Sequence, residues 1–430
     1  MAGASGSGVP SPTVLRKVGA PAPRPASLPN SGVLRIQHEL HTLIREPVEF
    51  IYVHADESDV TKITALIIGP LETPYAGGFF RFDIRVGPEY PMNPPKVILQ
   101  TTDGGRVRFN PNLYADGKVC LSILGTWAGP AWSSAESLSS VLLSIQSLMC
   151  EEPYHNEPGY ETMGDDDIKS AYNDYIRYET LRVSVLSTLK HAAHARHFPD
   201  VLERQFLLWH EMYMNIANDL RERRDGSQYK DAFSNRRGTF DMKNIIHSLE
   251  TMKKTIMERM DTLDKPPTVL GSVSESDKTS LSYAADRLRD DYRNLTRSPS
   301  PGGSASPRDV DNPFLWDATI LGPENTSYEG GFFTLEIRFS HHHPYRPPFA
   351  RFTSPMFHPN ITTDGIPALD LIQTRWTPNT RVSTILDKLQ GLLAEPSDTL
   401  NPVNVQATSM YRLNRREFKR RARRLAQDGC

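Results

Sequence analysis

Cysteine is scarce in this chain, because only three of its 430 residues are cysteines: Cys120, Cys150 and Cys430. Three widely separated thiols are too few for a disulfide framework, and this scarcity predicts a reducing compartment. No stretch approaches the ~18 consecutive apolar residues that a membrane span needs, and the N-terminus lacks an apolar signal core. The formal net charge of −2 gives no overall nucleic-acid signature. These absences favour a soluble intracellular protein.

One thiol lies in a turn-rich segment, residues 109–132, with the sequence FNPNLYADGKVCLSILGTWAGPAW. Cys120 follows a turn signal at 115–118, and Asn112 stands eight residues before it. Such a cysteine can be a nucleophile, because its thiolate (free pKa ~8.5) forms far more easily than an alkoxide. An asparagine side chain can donate to a developing oxyanion. On these residues alone, a lone cysteine is more often a buried structural one.

A second copy of this segment changes the balance between these interpretations. Residues 357–376 read FHPNITTDGIPALDLIQTRW, and Asn360 again stands eight residues before the key position, which is Ala368. The scaffold recurs and the thiol does not. This pattern is typical of one catalytic copy and one copy that has lost its chemistry.

The chain divides by composition and periodicity. Residues 1–31 are rich in Pro, Ala, Ser and Gly and predict a disordered tail. An amphipathic helix from residue 33, strand-like runs of which 79–86 alternates with period two, and a buried helix at 138–149 predict an α+β domain over 32–164. Helical patterns fill 165–264, a linker is predicted at 265–277, and a second domain at 278–430. Aromatic residues at helical spacing in the middle segment are interpreted as packing against the first domain: Tyr172, Tyr175, Phe206, Trp209 and Tyr213.

Several gapped motifs in order carry a family resemblance. GPLETPYAGGFFRFDIRV, EYPMNPPKV, NPN-x7-Cys and a following tryptophan and helix resemble the ubiquitin-conjugating enzymes. GKVCLSILGTWAGPAW, with its insertion between Trp127 and Trp132, is most similar to the Z-type branch of that family. From Asn312 onward, NPFLWDATILGPENTSYEGGFFTLEIRF follows the common family scaffold. The resemblance implies two ubiquitin-conjugating (UBC) domains, each an antiparallel sheet with flanking helices, joined by a helical extension.

The resemblance also implies a chemistry. Cys120 would accept ubiquitin or a ubiquitin-like modifier as a thioester from an activating enzyme, and a lysine of a substrate protein would then attack that thioester. The activating enzyme uses ATP upstream, so no cofactor is expected for this chain. Asn112 matches the asparagine of the family, Glu157 matches its acidic residue near the cysteine, and His155 is a second polar candidate. The cysteine-less second domain, with Ala368 at the lost position, would bind or position a partner.

Two departures from the family pattern are visible. Asn110 stands where most members have histidine, which bears on the stability of the loop rather than on activity. Ser134 replaces a usual proline, so Met92 and Trp132 are the candidates for contact with a ubiquitin ligase. The expected location is the cytoplasm, with the nucleus as a second compartment.

Two other classes stay open on the sequence. A non-catalytic ubiquitin-binding scaffold would explain the family pattern, but the retained pair of Asn112 and Cys120 argues against it. A cysteine hydrolase also uses Cys, His and Asn, but no histidine lies at a family-typical spacing. No metal site is expected, since the run 341–343 (His-His-His) has no ligand partner at suitable spacing and predicts a solvated loop. The basic run 412–424 is interpreted as a solvated helix face, and nucleic acid is disfavoured as a partner.

Overall fold

The computed structural model describes residues 30–162, 165–191, 198–265, 275–373, 375–397 and 402–428. The tail predicted at 1–31 and the linker predicted at 265–277 lie mostly outside these ranges, as does Cys430. Within them, two four-stranded antiparallel sheets with flanking helices confirm the predicted α+β class.

The first unit (residues 30–156) is built on a sheet whose strands follow chain order. Its main elements are α1 (Asn30–Arg45), β1 (Ile51–Ala55), β2 (Lys62–Ile68), β3 (Phe79–Arg85), β4 (Lys96–Leu99) and α2 (Leu138–Leu148). Phe80, Phe82 and Ile84 alternate along β3 towards the core, as the period-two pattern predicted, and α1 and α2 pack on that face. Ser137 begins α2 with a reciprocal capping box to Ser140.

A middle region (residues 165–265) covers the opposite face of this sheet. Its elements are α3 (Asp166–Glu179), a π-helical continuation (Thr180–Ser187), α4 (Thr188–Lys190), α5 (Pro199–Arg224), β5 (Gln228–Lys230), β6 (Arg237–Thr239) and α6 (Met242–Met260). Leu66, Ile68 and Phe79 of the sheet share an apolar cluster with Phe206 and Trp209 of α5. Because both faces are covered, β2 is nearly continuous in apolar residues instead of alternating. The five aromatics predicted to pack here are all buried.

The second unit (residues 275–428) repeats the first. Its elements are α7 (Glu275–Arg297), β7 (Gly303–Pro307), β8 (Leu315–Leu321), β9 (Phe332–Arg338), β10 (Phe349–Phe352), α8 (Asp370–Gln373), α9 (Val382–Ala394), α10 (Val405–Leu413) and α11 (Arg415–Asp428). Its sheet has the order β7-β8-β9-β10. The α7 helix and the α9–α11 helices contribute to its core.

A glycine turn shows how closely the two units correspond. Gly69 and Gly322 each follow the second strand of their sheet and precede a proline. A Cβ atom would lie 1.9 Å from the Tyr75 carbonyl oxygen at the first position and 1.7 Å from the Tyr328 carbonyl oxygen at the second. Only glycine fits a backbone approach this close.

The histidine run 341–343 differs in part from its prediction as a solvated loop. His343 is buried, with its ring 4.9 Å from that of Phe339 and 5.8 Å from that of Trp376. Burial, helped by the nearby positive charge of Arg287, lowers its pKa to about 3. A run of three identical polar residues has no periodicity from which this burial could be predicted. The burial comes from packing of the His343 ring near Phe339 and Trp376.

Candidate active site

Cys120 and Asn112 are joined by two reciprocal hydrogen bonds across the loop. The Cys120 amide donates to the Asn112 carbonyl oxygen at 2.9 Å, and the Asn112 side-chain Nδ2 donates to the Cys120 carbonyl oxygen at 2.9 Å. Gly117 turns the chain between them with φ +90°, and a Cβ there would meet the Leu99 carbonyl oxygen at 2.6 Å. The turn predicted at 115–118 and the pair Asn112 and Cys120 therefore belong to one loop, which two hydrogen bonds close.

The thiol of Cys120 is deeply placed in this structure, because the residue is only 1% exposed. Burial raises its pKa, and the positive charges of Lys118 and Arg108 oppose that rise. A raised thiol pKa means that the thiolate is a minor species at neutral pH. Reaction at Cys120 therefore requires deprotonation and access at the moment of attack.

Asn110 makes the hydrogen bonds that a histidine makes in the second unit. Its Oδ1 accepts from the Asn112 amide at 2.9 Å, and its Nδ2 donates to the Leu148 carbonyl oxygen at 2.8 Å. In the second unit, His358 Nδ1 accepts from the Asn360 amide at 2.9 Å, and Nε2 lies 3.0 Å from the Leu392 carbonyl oxygen. The departure from the family histidine thus preserves the loop's hydrogen bonds.

His155 lies on the short helical turn that follows α2 (Pro153–Asn156), and Glu157 comes directly after that turn. Glu157 is 29% exposed, and its Oε2 lies 3.2 Å from Arg108 Nη2. After burial, which is the main cause, the Glu157 charge contributes to the raised pKa of the Cys120 thiol. His155 Nδ1 instead contacts Glu152 Oε2 at 3.0 Å, so its ring is engaged by a different carboxylate.

Trp132 is hydrogen-bonded to the backbone directly beside Met92. The Trp132 Nε1 donates to the Pro91 carbonyl oxygen at 2.8 Å, next to Met92, which is 72% exposed. The second unit has the same arrangement, since Trp376 Nε1 donates to the Pro344 carbonyl oxygen at 2.7 Å. An exposed apolar side chain beside an anchored tryptophan is suited to a protein contact.

The loop around Ala368 keeps a backbone hydrogen bond of the first unit's loop and lies in an apolar cluster with α5. The Ala368 amide donates to the Asn360 carbonyl oxygen at 2.8 Å, as Cys120 does to Asn112. Ala368 is 6% exposed and belongs to the apolar cluster formed with Leu207 and Leu208 of α5. The lost catalytic position therefore lies in an interface within the chain.

Arg204 of α5 makes three hydrogen bonds across that interface. Its Nη1 donates to the Pro348 carbonyl oxygen at 2.6 Å and to the Ile372 carbonyl oxygen at 3.2 Å, and its Nη2 donates to the Pro347 carbonyl oxygen at 2.7 Å. Ion pairs reinforce the contact between the middle region and the second unit: Lys253–Asp364 (2.6 Å), Arg338–Asp264 (2.5 Å), Arg351–Asp261 (3.1 Å) and Arg346–Asp200 (3.4 Å).

Sequence reasoning missed Arg108, which contacts several groups around this site. Its guanidinium lies 4.0 Å from the centre of the Tyr114 ring and pairs with Glu157. It also contacts the carbonyl of Phe233 in the loop between β5 and β6. A single arginine before the Phe-Asn-Pro motif has no spacing that distinguishes it from a surface arginine, so the sequence carried no signal for this role.

No group of three or more His, Cys, Asp or Glu side chains suited to a metal ion was found in the part of the chain that the structure describes. Among the helices in those same ranges, none is both long enough and apolar enough to cross a bilayer.

Comparison with known proteins identifies relatives of both units. The sequence model of the family described as ubiquitin-conjugating enzyme matches residues 35–179 and 287–426. Ubiquitin-conjugating enzyme E2 Z from Xenopus tropicalis is 46% identical over 241 residues, which cover 55% of this chain and 76% of that protein. The human E2 Z is 45% identical over 229 residues, covering 53% of this chain and 64% of that protein. The human dual E2 ubiquitin-conjugating enzyme/E3 ubiquitin-protein ligase BIRC6 is 42% identical over 167 residues, covering 37% of this chain and 3% of that protein.

Proposed function

Since the chain belongs to the ubiquitin-conjugating enzyme family and is such an enzyme, we propose that Cys120 carries the thioester. The observation that supports this assignment is the paired geometry of the two units. The Cys120 and Ala368 amides donate to the carbonyl oxygens of Asn112 and Asn360 at 2.9 and 2.8 Å, and only the first loop carries a thiol. Because the first unit has a cysteine where the second has an alanine, Cys120 is the candidate for the thioester.

The proposed reaction has two acyl transfers. The Cys120 thiolate attacks the modifier's thioester on the activating enzyme, so that a new C–S bond forms and the activating enzyme's sulfur leaves as a thiolate. A neutral substrate lysine then attacks the new thioester, and the Cys120 sulfur leaves. Because a lysine has a free pKa of ~10.4, the site must take up a proton from it or exclude water around it.

Asn112 is the proposed donor to the oxyanion of the second step. In the present structure its Nδ2 donates to the Cys120 carbonyl oxygen instead, so the side chain would exchange that acceptor for the oxyanion. Its Oδ1 is buried and accepts no hydrogen bond from the residues that the structure describes, so only one end of the amide is held. Glu157 is proposed to orient or deprotonate the incoming lysine, with His155 as a weaker candidate because Glu152 engages it.

The second unit is proposed to bind or position a partner rather than to transfer the modifier. Its Ala368 face is packed against α5, so a partner would use another face of this unit. For the first unit, Met92 and Trp132 are the proposed contact with a ubiquitin ligase. The activating enzyme and substrate lysines are the remaining partners, and the chain itself is proposed to need no cofactor. We propose the cytoplasm, and also the nucleus, as its location.

A thioester assay with purified activating enzyme, ATP and ubiquitin tests this function. The parent chain should form an adduct that a reducing agent removes, and Cys120→Ala should form none. Cys150→Ala is the matched control and should charge like the parent, since Cys150 follows the end of α2 and lies outside the Cys120 loop. A reducible adduct on Cys120→Ala would overturn the assignment, and the absence of any adduct on the parent would favour the scaffold alternative.

A further inference from the structure

The loop between β5 and β6 of the middle region reaches the rim of the candidate active site. The Phe233 ring lies 5.2 Å from the ring of Tyr154, on the segment that leads to Glu157, and 5.1 Å from the ring of Tyr172 in α3. The Phe233 carbonyl oxygen accepts from Arg108 Nη1 at 2.9 Å. A segment more than 100 residues beyond Cys120 in the chain is therefore in direct contact with the residues around it.

The hairpin is itself firmly anchored. Arg236 donates to Glu179 of α3 from Nε at 3.0 Å and from Nη2 at 2.9 Å, and Tyr229 Oη donates to the same carboxylate at 3.2 Å. Glu179 has a fully buried side chain. Charge-assisted hydrogen bonds of this kind are stronger than neutral ones, so the Phe233 carbonyl is a fixed acceptor rather than a mobile one.

Arg108 connects the Phe233 carbonyl to the backbone before Asn112 and to the Glu157 carboxylate. Its Nε donates to the Asn110 carbonyl oxygen at 3.3 Å, its Nη2 donates to the Pro111 carbonyl oxygen, and the same Nη2 lies 3.2 Å from Glu157 Oε2. The side chain is 11% exposed. A guanidinium spans these acceptors because its five N–H donors form a rigid planar fork, which a lysine ammonium cannot reproduce.

We propose that Arg108 is a positioning residue for Glu157, held in place by the hairpin of the middle region. The carboxylate accepts from a guanidinium whose other donors are fixed to the Asn110–Pro111 backbone and to the Phe233 carbonyl, so its location relative to Cys120 is set by these contacts. This inference rests on the proposed function, in which Glu157 serves the incoming lysine. It makes the middle region part of the apparatus for the second step, in addition to its packing role.

Single-turnover discharge of the ubiquitin-charged full-length chain tests the inference. The charged protein is mixed with free lysine or with hydroxylamine, which is largely unprotonated at neutral pH and needs no carboxylate to orient or deprotonate it. Arg108→Gln should slow lysine discharge at least about tenfold, as expected when a reacting group is misplaced, and leave hydroxylamine discharge within about twofold of the parent. Arg106→Gln is the matched control, because this neighbouring arginine is exposed and pairs with Asp103; it should leave both discharge rates unchanged.

A double-mutant cycle with Glu157→Gln separates positioning from a general effect on the loop. If Arg108 acts through Glu157, adding Arg108→Gln to Glu157→Gln should slow lysine discharge less than twofold further. Fully additive losses, or equal losses with lysine and hydroxylamine, would overturn the inference. Should Arg108→Gln fail to melt cooperatively, Arg108→Lys decides: it should give a partial loss confined to lysine, and a parent-like ratio of the two discharge rates would overturn the inference.

The two proposals fail in different ways. A parent chain that takes no thioester on Cys120 contradicts the proposed function. Lysine discharge from Glu157→Gln at the parent rate contradicts the role of Glu157 and, with it, this inference. Slow discharge from Glu157→Gln together with parent-like discharge from Arg108→Gln contradicts the inference alone.

Discussion

At the scale of single residues, two of the differences between the candidate catalytic loop of the first unit and its counterpart in the second have separate consequences. The exchange of Cys120 for Ala368 removes the thiol and keeps one backbone hydrogen bond of the loop, since both amides donate to an asparagine carbonyl. The exchange of Asn110 for His358 replaces a short amide by an imidazole, yet both side chains join the same two backbone positions. Chemistry and loop structure are thus carried by separate residues.

Asn112→Ala should separate the two transfer steps. We expect charging from the activating enzyme near the parent rate and discharge to lysine slower by about 10²–10³, the cost of losing one oxyanion donor. The hydrogen bond from Asn112 to the Cys120 carbonyl is also lost, at a cost of about 1 kcal/mol of stability, so the melting temperature is measured alongside. Discharge at the parent rate would show that Asn112 only structures the loop.

Asn110 should tolerate the histidine of the second unit but not alanine. Asn110→Ala leaves the buried Asn112 amide without its side-chain acceptor, which costs about 1–3 kcal/mol of unfolding free energy. Asn110→His restores both contacts in the manner of His358 and should lie closer to the parent in urea unfolding. Equal destabilisation by both substitutions would contradict the interpretation that the two side chains are interchangeable.

At the scale of elements, periodicity and turn signals predicted most of the secondary structure. The run at 79–86 alternates because one face of β3 meets the core, and the predicted helix at 138–149 matches α2 within one residue. The hairpin was missed because β5 and β6 have three residues each, too few for a period to show. Arg108 and the hairpin could not be connected from the sequence, because their contact joins segments 125 residues apart.

The second unit should lose more unfolding free energy than the first as the pH falls below about 6.5. Burial lowers the pKa of both His343 and His358 to about 3, from an ordinary value of 6.5. Between these values the unfolded chain binds protons that the folded unit does not, so the stability of the second unit falls as pH decreases from about 6.5 towards 3. In the first unit, Asn110 occupies the place of His358 and does not titrate.

Calorimetric melting at pH 7.5 and pH 5 measures this difference. The transition of the second unit should move to lower temperature at pH 5, and His358→Asn should reduce that movement. His210 of α5 also has a pKa lowered to about 4 by burial and by the nearby Lys253 charge, so part of the pH dependence should persist in the variant. The same pH dependence in His358→Asn and the parent would show that His358 does not contribute to it.

At the scale of the whole molecule, the middle region contacts both halves of the chain with different surfaces. Its hairpin reaches the Cys120 loop, and α5 lies between the outer face of the first sheet and the Ala368 loop of the second unit. The repeat in the sequence indicated two domains and a lost thiol. It could not indicate that the lost site is covered, because an alanine in a loop is compatible with both a buried and an exposed position.

Restoring a cysteine at position 368 should not restore a charging site. In a Cys120→Ala background, Ala368→Cys would place a thiol in the apolar cluster that includes Leu207 and Leu208 of α5, and next to Pro367, which has no amide hydrogen to offer a bound thioester. We expect no reducible ubiquitin adduct, together with slow alkylation by iodoacetamide in the native state and rapid alkylation in denaturant. Adding Arg204→Ala removes three hydrogen bonds that hold α5 to the second unit and should speed native alkylation. A thioester at position 368 with α5 still in place would show that the covering helix does not exclude the activating enzyme, and that only the thiol had been lost.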